Sequence, residues 1–302
     1  MPHPTRNEFI TELRRRYGLL TRVGESRSLV SLGGDALRVY IRYSKVHPGG
    51  QTFYGLRSED IALLQGHRAV ICFLWADQAD PLFVPFDQFE SVIFGTVPAR
   101  DGQYKVQIYQ RAAGTELYIA QAGRFNVEGF FGWSVLEEHL ADAELLHMPD
   151  LTHAQVQTLL GAIGAIKGYG IWVPPPDRAA LDWNLVDVFE VAHGLPSGYE
   201  QSARVLSDID VMWLEPGTSR LEALYEVEHT TSVYSGLLRF NDVLISSPQV
   251  RPRFTIVSSA GRRDLFTRQI NRPTFCASGL TEVCTFLDYR NVYAWFQRAV
   301  GG

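Results

Sequence analysis

SDIDVMWLEPGTSRLEALYEVEHTT, residues 207–231, is the stretch of sequence that decides the fold. It predicts two strands joined by a hairpin, and their apolar runs are typical of central rather than marginal strands. Side chains two positions apart on a strand project from the same face, so Glu226 and Glu228 should point together. The hairpin connection would bring Asp210, at the start of the first strand, close to that pair.

Three carboxylates on one surface repel each other and are costly unless a cation neutralises them. Hard divalent ions meet that need, because Mg²⁺ typically takes one or two carboxylates together with waters and substrate phosphate. Such an ion lowers the pKa of bound water and stabilises the charge that develops on an attacked phosphate. Asp210, Glu226 and Glu228 are therefore candidate ligands of Mg²⁺. The same residues could instead form the exposed face of an acidic hairpin.

The segments around these strands alternate between helix and strand, which predicts an α/β sheet. The glycines of GAIGAIKGYG do not follow a predicted strand, so they indicate close helix packing rather than a nucleotide-binding loop. The predicted elements of the second half are helix 152–167, strand 171–173, strands 209–214 and 223–228, helix 233–246, strand 254–258, helix 262–271 and strand 283–287.

A chain of 302 residues can bury two cores of ordinary domain size. We expect a boundary near residue 150, with a β-rich α/β domain at 1–150 and a domain with an α+β mixed sheet at 151–302. No window of 18 or more apolar residues occurs, so no membrane span is predicted. Three cysteines without metal-ligand spacing suit a reducing cytoplasm.

The net charge of −5 hides a segregation of charge along the chain. Residues 1–57 carry ten Lys and Arg against four Asp and Glu, and residues 251–302 carry eight against three. Residues 58–150 carry five against fourteen, and residues 151–250 carry five against twelve. The basic ends could form a phosphate-facing surface. Scattered solvated charge is the alternative.

The first half contains a strand with a basic and aromatic polar face. In LRVYIRY, residues 37–43, polar and apolar side chains alternate with the period of a half-buried strand. Such a face could line a DNA groove by positioning phosphates and stacking on bases. A purely structural domain or a dimer interface is the alternative. The residues expected to contact DNA are Arg38, Tyr40, Arg42, Lys45 and His47.

The order of the motifs in the second half resembles the PD-(D/E)XK, restriction-endonuclease-like nucleases. An Asp on one strand is followed there by Glu-x-Lys or Glu-x-Glu on the next, and Glu228 holds the usual lysine position here. The resemblance covers roughly residues 150–295. It includes the opening helix with His153, Gln155 and Gln157, then GYGIWVPPPDR, EVEHTTSVYSGLLRFNDVL, FTIVSSAGRRDLF and INRPTF.

The resemblance implies a role for each acidic residue. Asp210 and Glu226 would bind the metal, with the carbonyl of Val227 available as another ligand. Glu228 would sit by the attacking water, as a ligand or as a base. Mg²⁺ is the expected cofactor, and Mn²⁺ should be able to replace it.

The first helix departs from the pattern of this family. Related nucleases often place a glutamate there, facing the site, whereas the candidates in this chain are Gln155 and Gln157. A glutamine can ligate through its carbonyl oxygen but adds no charge, which weakens the case for a second metal ion. His229 should point to the opposite face of its strand from Glu228, so we expect it to be structural.

Basic and aromatic residues near the expected active edge are candidate DNA contacts. The helix after the Glu-x-Glu strand is packed beside the scissile strand in the family, and the arginines near residue 262 could reach phosphates. An exposed helix face is the alternative for these arginines. The candidates are Tyr234, Ser235, Arg239, Arg262, Arg263, Arg268 and Arg272.

These observations predict a Mg²⁺-dependent endonuclease that hydrolyses double-stranded DNA, of the restriction or phage-defence type. A duplex needs two cuts, so a homodimer with two-fold symmetry is the economical arrangement. A DNA-binding or regulatory subunit that kept a nuclease fold without turnover is the second hypothesis. A nuclease for RNA or single strands is a third, although the sequence has no aromatic RNA-recognition motif.

Overall fold

A computed structural model describes residues 4–111, 114–145, 149–218, 220–229, 232–248 and 252–301. The chain divides into two compact units, Met1–Leu146 and His147–Gly302. Among the helices in the described ranges, none combines the length and the apolar character that crossing a membrane would require.

The first unit contains two five-stranded sheets. One has the strand order β1-β2-β3-β6-β7 and the other the order β10-β9-β8-β5-β4. The elements of this unit are α1 Pro4–Tyr17, β1 Thr21–Arg22, β2 Leu29–Leu32, β3 Leu37–Ser44, β4 Val46–His47, β5 Gln51–Arg57, α2 Ser58–Ala62, β6 Ala69–Trp75, β7 Leu82–Pro85, α3 Phe86–Phe94, β8 Gln103–Arg111, β9 Gly114–Ile119, β10 Gly123–Asn126 and α4 Trp133–Leu145.

Strand β3 is buried on both faces, so the predicted half-buried strand is wrong. It lies in the middle of its sheet, antiparallel to β2 and parallel to β6. Val39 and Ile41 pack in a core that includes Phe9 of α1 and Leu136 of α4. On the other face Tyr40 packs in a second core with residues of β5 and β8. Because β3 has a parallel neighbour and both of its faces are covered, the alternation of polar and apolar residues does not identify a solvent-exposed face.

The second unit is built on one mixed sheet of order β11-β12-β13-β14-β15. Strands β11, β12 and β13 pair antiparallel, and β13, β14 and β15 pair parallel. The elements are α5 His153–Ile166, β11 Gly170–Trp172, α6 Ala203–Leu206, β12 Val211–Leu214, β13 Leu221–Glu228, α7 Val233–Ser246, β14 Arg253–Ser258, α8 Arg263–Ile270, α9 Pro273–Ser278, α10 Leu280–Val283, β15 Cys284–Asp288 and α11 Tyr289–Gly301. The predicted α/β class with a mixed sheet is confirmed.

Helices cover both faces of this sheet because its strands alternate two sets of apolar side chains. Trp213 and Tyr225 face α5 and α11 in one core. Met212 and Leu224 belong to a second core, with residues of α7 to α10. The acidic positions of β13 fall in the second set, so they lie on the α7 side of the sheet.

The parallel strands end together in polar residues. The register pairs Glu228 of β13 with Ser258 of β14, and Ser258 with Asp288 of β15. All three residues are buried. Chemistry-bearing residues are thus gathered at the carboxyl ends of adjacent strands, the edge where open α/β sheets bind ligands.

Helix α5 packs closely on its neighbours through two glycines, Gly164 on the sheet and Gly161 on the loop residue Phe189. A Cβ at Gly164 would lie 2.5 Å from Nε1 of Trp213, and a Cβ at Gly161 would lie 2.3 Å from the ring of Phe189. The predicted role of these glycines in close helix packing is confirmed.

Candidate active site

Asp210 is held against β13 by a backbone hydrogen bond. It directly precedes β12, where Val211 pairs with Tyr225 of the neighbouring strand. Its Oδ2 accepts a hydrogen bond from the N–H of Val227 at 2.7 Å. The hairpin therefore sets the Asp210 carboxylate beside the Glu226-Val227-Glu228 segment.

The two glutamates of β13 are buried under α7. Glu226 is 0% exposed and Glu228 is 1% exposed. The Glu226 carboxylate accepts hydrogen bonds from Nε and Nη2 of Arg239 at 2.7 and 2.5 Å. Oε1 of Glu228 lies 3.9 Å from the same Nη2. Arg239 therefore supplies positive charge to both carboxylates. The DNA contact that the sequence suggested for Arg239 stays a prediction beside this ion pair, since 32% of the side chain is exposed.

Gly236 of α7 makes room for the acidic pair. A Cβ at this position would lie 2.8 Å from Oε1 of Glu228 and 3.2 Å from Cβ of Glu226. The first of these distances is shorter than real Cβ atoms adopt, so a glycine allows α7 to pack directly on the carboxylates. The helix is thereby close enough for Arg239, one turn further on, to reach Glu226.

The acidic residues share one electrostatic environment. Burial raises the pKa of Glu226 to about 8, and the negative charges of Asp210 and Glu228 act in the same direction while Arg239 opposes them. Neighbouring negative charges raise the pKa of Glu226 in this way because the charged forms repel. The region around Asp210 would therefore gain from additional positive charge.

A further group of potential ligands surrounds Asp210 on the side of α5. Ligand atoms of His153, Asp177 and Asp210 all lie within 4.8 Å of one another, and each residue is partly exposed. Nε2 of His153 lies 3.4 Å from Oδ1 of Asp210. This interaction raises the pKa of His153. The arrangement combines two carboxylates and an imidazole in a place that solvent reaches.

Gln157, rather than Gln155, contacts this group. The buried amide Nε2 of Gln157 lies 3.1 Å from Oδ2 of Asp177 and 3.3 Å from the carbonyl of Asp210, and it can donate to both. Gln155 instead forms a capping box with Thr152 at the start of α5 and donates to Asp182 at 3.1 Å. The prediction that Gln155 faces the site is therefore not supported, since helix capping already engages its side chain.

The predicted DNA contacts of the second unit are engaged with protein groups. Nη1 of Arg262 donates to the carbonyls of Glu228 and His229, at 3.0 and 3.1 Å. Nη2 of Arg263 lies 3.5 Å from Oδ2 of Asp288, and the Arg263 guanidinium stands over the ring of Phe286. These arginines border the carboxyl ends of the strands, and their hydrogen bonds and ring contacts fix their positions there.

Tyr234 and His229 have aromatic partners. The ring of Tyr234 lies 5.7 Å from that of Phe275, and Arg272 stands over the Tyr234 ring at 4.8 Å. His229 stacks on Tyr289, whose hydroxyl lies 3.3 Å from Nδ1 of the histidine. The contact of His229 with Tyr289 agrees with the structural role that we expect for it.

In the first unit, Arg38 cannot serve as the DNA contact that the sequence suggested. It is 3% exposed and forms a bidentate pair with Asp35, with both hydrogen bonds at 2.8 Å. It also donates to the carbonyl of Leu63. Arg42 is partly exposed over the ring of Tyr40, and Lys45 is exposed. The burial of Arg38 follows from the central position of β3 in its sheet.

The sequence does not identify His153 and Asp177 as partners of Asp210. The pattern of residues places His153 only in the opening helix and Asp177 only in the loop PPPDR. They stand 57 and 33 positions before Asp210 in the chain. Spacing within a short motif cannot join residues so far apart. The signal that could have identified these two residues is that the start of a helix and a loop meet at one edge of the predicted sheet.

Comparison with known proteins connects this fold and site to restriction enzymes. A family model described as the C-terminal domain of the type II restriction enzyme NmeDI matches residues 136–299. The matched region includes the mixed sheet, α5, α7 and every residue of the acidic site described above. Because it spans more than half of the chain, the chain belongs to this family.

A curated relative points in the same direction. The type II restriction enzyme NmeDI of Neisseria meningitidis serogroup C is 29% identical to this chain over 131 residues. The similarity covers 41% of this chain and 37% of the relative. The chain thus spans little more than a third of the length of the relative that it matches.

Proposed function

We propose that this chain is a Mg²⁺-dependent endonuclease of the restriction type that hydrolyses phosphodiester bonds of double-stranded DNA. The observation that carries the proposal is the position of Asp210, between His153 and Asp177 on one side and the Glu-x-Glu strand on the other. Membership of a type II restriction enzyme family supports it. So does the resemblance to the PD-(D/E)XK nucleases, which place an Asp and a Glu-x-Glu on adjacent strands.

The residues present fit a divalent cation. The ligand atoms of His153, Asp177 and Asp210 are close enough that small side-chain movements would bring them onto one ion. Carboxylates are the ligands that Mg²⁺ and Mn²⁺ prefer, and an imidazole is acceptable to Mn²⁺ and later metals. Glu226 and the Val227 carbonyl could complete a site on the other side of Asp210 if Arg239 turned away.

Each residue of the site has a task in the proposed hydrolysis. A bound ion would supply an acidified water and stabilise charge on the attacked phosphate. Asp210 and Asp177 would orient the ion, with Gln157 fixing their positions through its two hydrogen bonds. Glu228 would accept the proton of the attacking water, and Arg239 would compensate for the negative charge of the glutamates. The proposed homodimer would apply two such centres to the two strands of a duplex.

Replacement of Asp210 tests this function. Asp210→Asn should abolish Mg²⁺-dependent nicking and linearisation of plasmid DNA, while DNA binding is kept or strengthened because negative charge is lost. Asp208→Asn is the matched control, since Asp208 is exposed and lies two positions earlier. Plasmid cleavage by Asp210→Asn at the rate of the control would refute the assignment.

The pairing of Arg239 with Glu226 favours a second candidate, a DNA-binding or regulatory subunit without turnover. A carboxylate already neutralised by a guanidinium needs no metal. Calorimetric titration of Mn²⁺ into the protein separates the two functions. Binding that disappears in Asp210→Asn, together with plasmid nicking by the unaltered protein, supports the nuclease. DNA binding without metal binding or nicking supports the subunit.

A further inference from the structure

A concave surface of the first unit gathers arginines around an apolar floor. The pocket has a volume of about 200 Å³, several times the ~30 Å³ that a water molecule occupies. Its floor includes Ile10 and Leu29. Four arginines from α1, β1 and the loop before β2 line it: Arg6, Arg14, Arg22 and Arg27.

Glu12, one of the two acidic residues of α1, is paired with arginines that do not line the pocket. Glu12 of α1 accepts hydrogen bonds from Arg15 at 2.6 and 2.7 Å and from Arg16 at 2.7 Å. Arg14 lies on the pocket instead, and it is exposed together with Arg22. An anion that enters the pocket would therefore meet the exposed residues Arg14 and Arg22.

The arrangement of Arg6 indicates that the pocket is organised before any ligand arrives. Nη2 of Arg6 donates to the carbonyl of Arg27 at 2.6 Å, which links the two sides of the pocket. Burial and the positive charge of nearby Arg42 lower the pKa of Arg6. Positive groups held close together repel each other, and a bound anion relieves that repulsion.

We propose that this arginine pocket, defined by Arg6, Arg14, Arg22 and Arg27, binds a phosphate of the DNA backbone. The choice of DNA as the source of the phosphate rests on the proposed function. Arginine is suited to the task because its planar fork donates in pairs to phosphate oxygens. The four arginines of the pocket belong to the basic segment 1–57. They could supply the contact with DNA that buried Arg38 cannot make.

The test measures DNA affinity of the full-length chain in buffer without divalent ions, so that no cleavage occurs. Fluorescence anisotropy of a labelled duplex over a series of salt concentrations gives the affinity and its salt dependence. Arg14→Gln with Arg22→Gln should lower the affinity on the order of tenfold or more. The slope of log affinity against log salt should become shallower by about one for each phosphate that the protein no longer neutralises.

A matched variant controls for the removal of charge alone. Arg100→Gln with Arg111→Gln removes two exposed arginines of the same unit that do not line the pocket. Its salt slope should equal that of the unaltered protein. An identical decrease of affinity and slope in both double variants would overturn the proposal, since the pocket would then have no special part in binding.

Two further measurements separate the possible failures. Calorimetry with inorganic phosphate that shows binding abolished in the pocket variant, while duplex affinity is unchanged, would assign the pocket to a small anion and overturn the DNA contact. If the unaltered protein nicks plasmid DNA with Mg²⁺ but the pocket variant binds duplex normally, only the pocket proposal fails. If the unaltered protein neither binds nor nicks DNA, the proposed function fails, and the choice of ligand fails with it.

Discussion

Arg239 donates two hydrogen bonds to the carboxylate of Glu226, from Nε at 2.7 Å and from Nη2 at 2.5 Å. The carboxylate is fully buried, whereas 32% of the Arg239 side chain is exposed. The arginine thus connects the interior of the acidic site to solvent. A cation that bound at Glu226 would have to displace this guanidinium or share the carboxylate with it.

Removal of the arginine should destabilise the protein in the absence of metal. At a pH above about 8, the pKa of Glu226, Arg239→Gln leaves the ionised carboxylate buried without its charged partner, a situation that typically costs about 3–5 kcal/mol. Urea unfolding in EDTA measures the decrease in stability. The double variant Glu226→Gln, Arg239→Gln should recover most of it, because no uncompensated charge then remains. Equal stabilities for the single and double variants would show that the ion pair does not determine folding here.

The absence of a side chain at Gly236 should matter for the stability of the protein. Alanine at this position would place a Cβ 2.8 Å from Oε1 of Glu228. Although alanine favours helices, we expect Gly236→Ala to destabilise the chain by roughly 1–3 kcal/mol through overpacking. Gly261→Ala is the control, since a Cβ there meets no atom within 4 Å. A neutral or stabilising effect at position 236 would mean that α7 can move away from the glutamates.

Replacement of Asp177 should weaken metal binding if His153, Asp177 and Asp210 form the site. We expect Asp177→Asn to lower Mn²⁺ affinity by about 10–100-fold, as changes around metal ligands commonly do. Calorimetry or electron paramagnetic resonance of bound Mn²⁺ would measure it. Asp182→Asn, a carboxylate five positions later that accepts a hydrogen bond from Gln155, should leave the affinity unchanged. Weaker binding in Glu226→Gln but not in Asp177→Asn would assign the ion to the β13 side.

The two glutamines of α5 should differ in their effects. Gln157→Met removes the hydrogen bonds that orient Asp177 and Asp210, so we expect about 1–3 kcal/mol lower stability and weaker Mn²⁺ binding. Gln155→Met removes a capping interaction, so it should cost stability without changing Mn²⁺ affinity. The reverse pattern in Mn²⁺ titrations would restore Gln155 as the residue that faces the site.

Much of the fold could be predicted because its signals are local. Helix Val233–Ser246 has the bounds that its apolar pattern indicates. Helix α11, which packs on α5 through residues such as Trp295, was not predicted. The predicted outward face of β3 failed because sequence alternation does not reveal which layers cover a sheet.

The candidate site was predictable only where its members share a short motif. One hairpin joins Asp210 to the Glu226-Val227-Glu228 segment, so strand periodicity was enough to place the Asp210 carboxylate beside β13. The ligand atoms that lie within 4.8 Å of one another belong instead to Asp210, His153 and Asp177, so a site shared by Asp210 and the two glutamates stays a prediction. Arg239 was expected to face DNA, and its ion pair with Glu226 was not predicted. The distance between these two residues depends on how closely Gly236 lets α7 approach the sheet. That approach is decided by packing between distant segments, which a one-dimensional pattern does not contain.

The row formed by Glu228, Ser258 and Asp288 at the carboxyl ends of three parallel strands has an evolutionary consequence. The segments beyond those ends lead directly into core helices, since Tyr289, which follows Asp288, begins α11 and is buried. Insertions and deletions at this edge of the sheet would therefore be confined to the short connections between each strand and the helix that follows it.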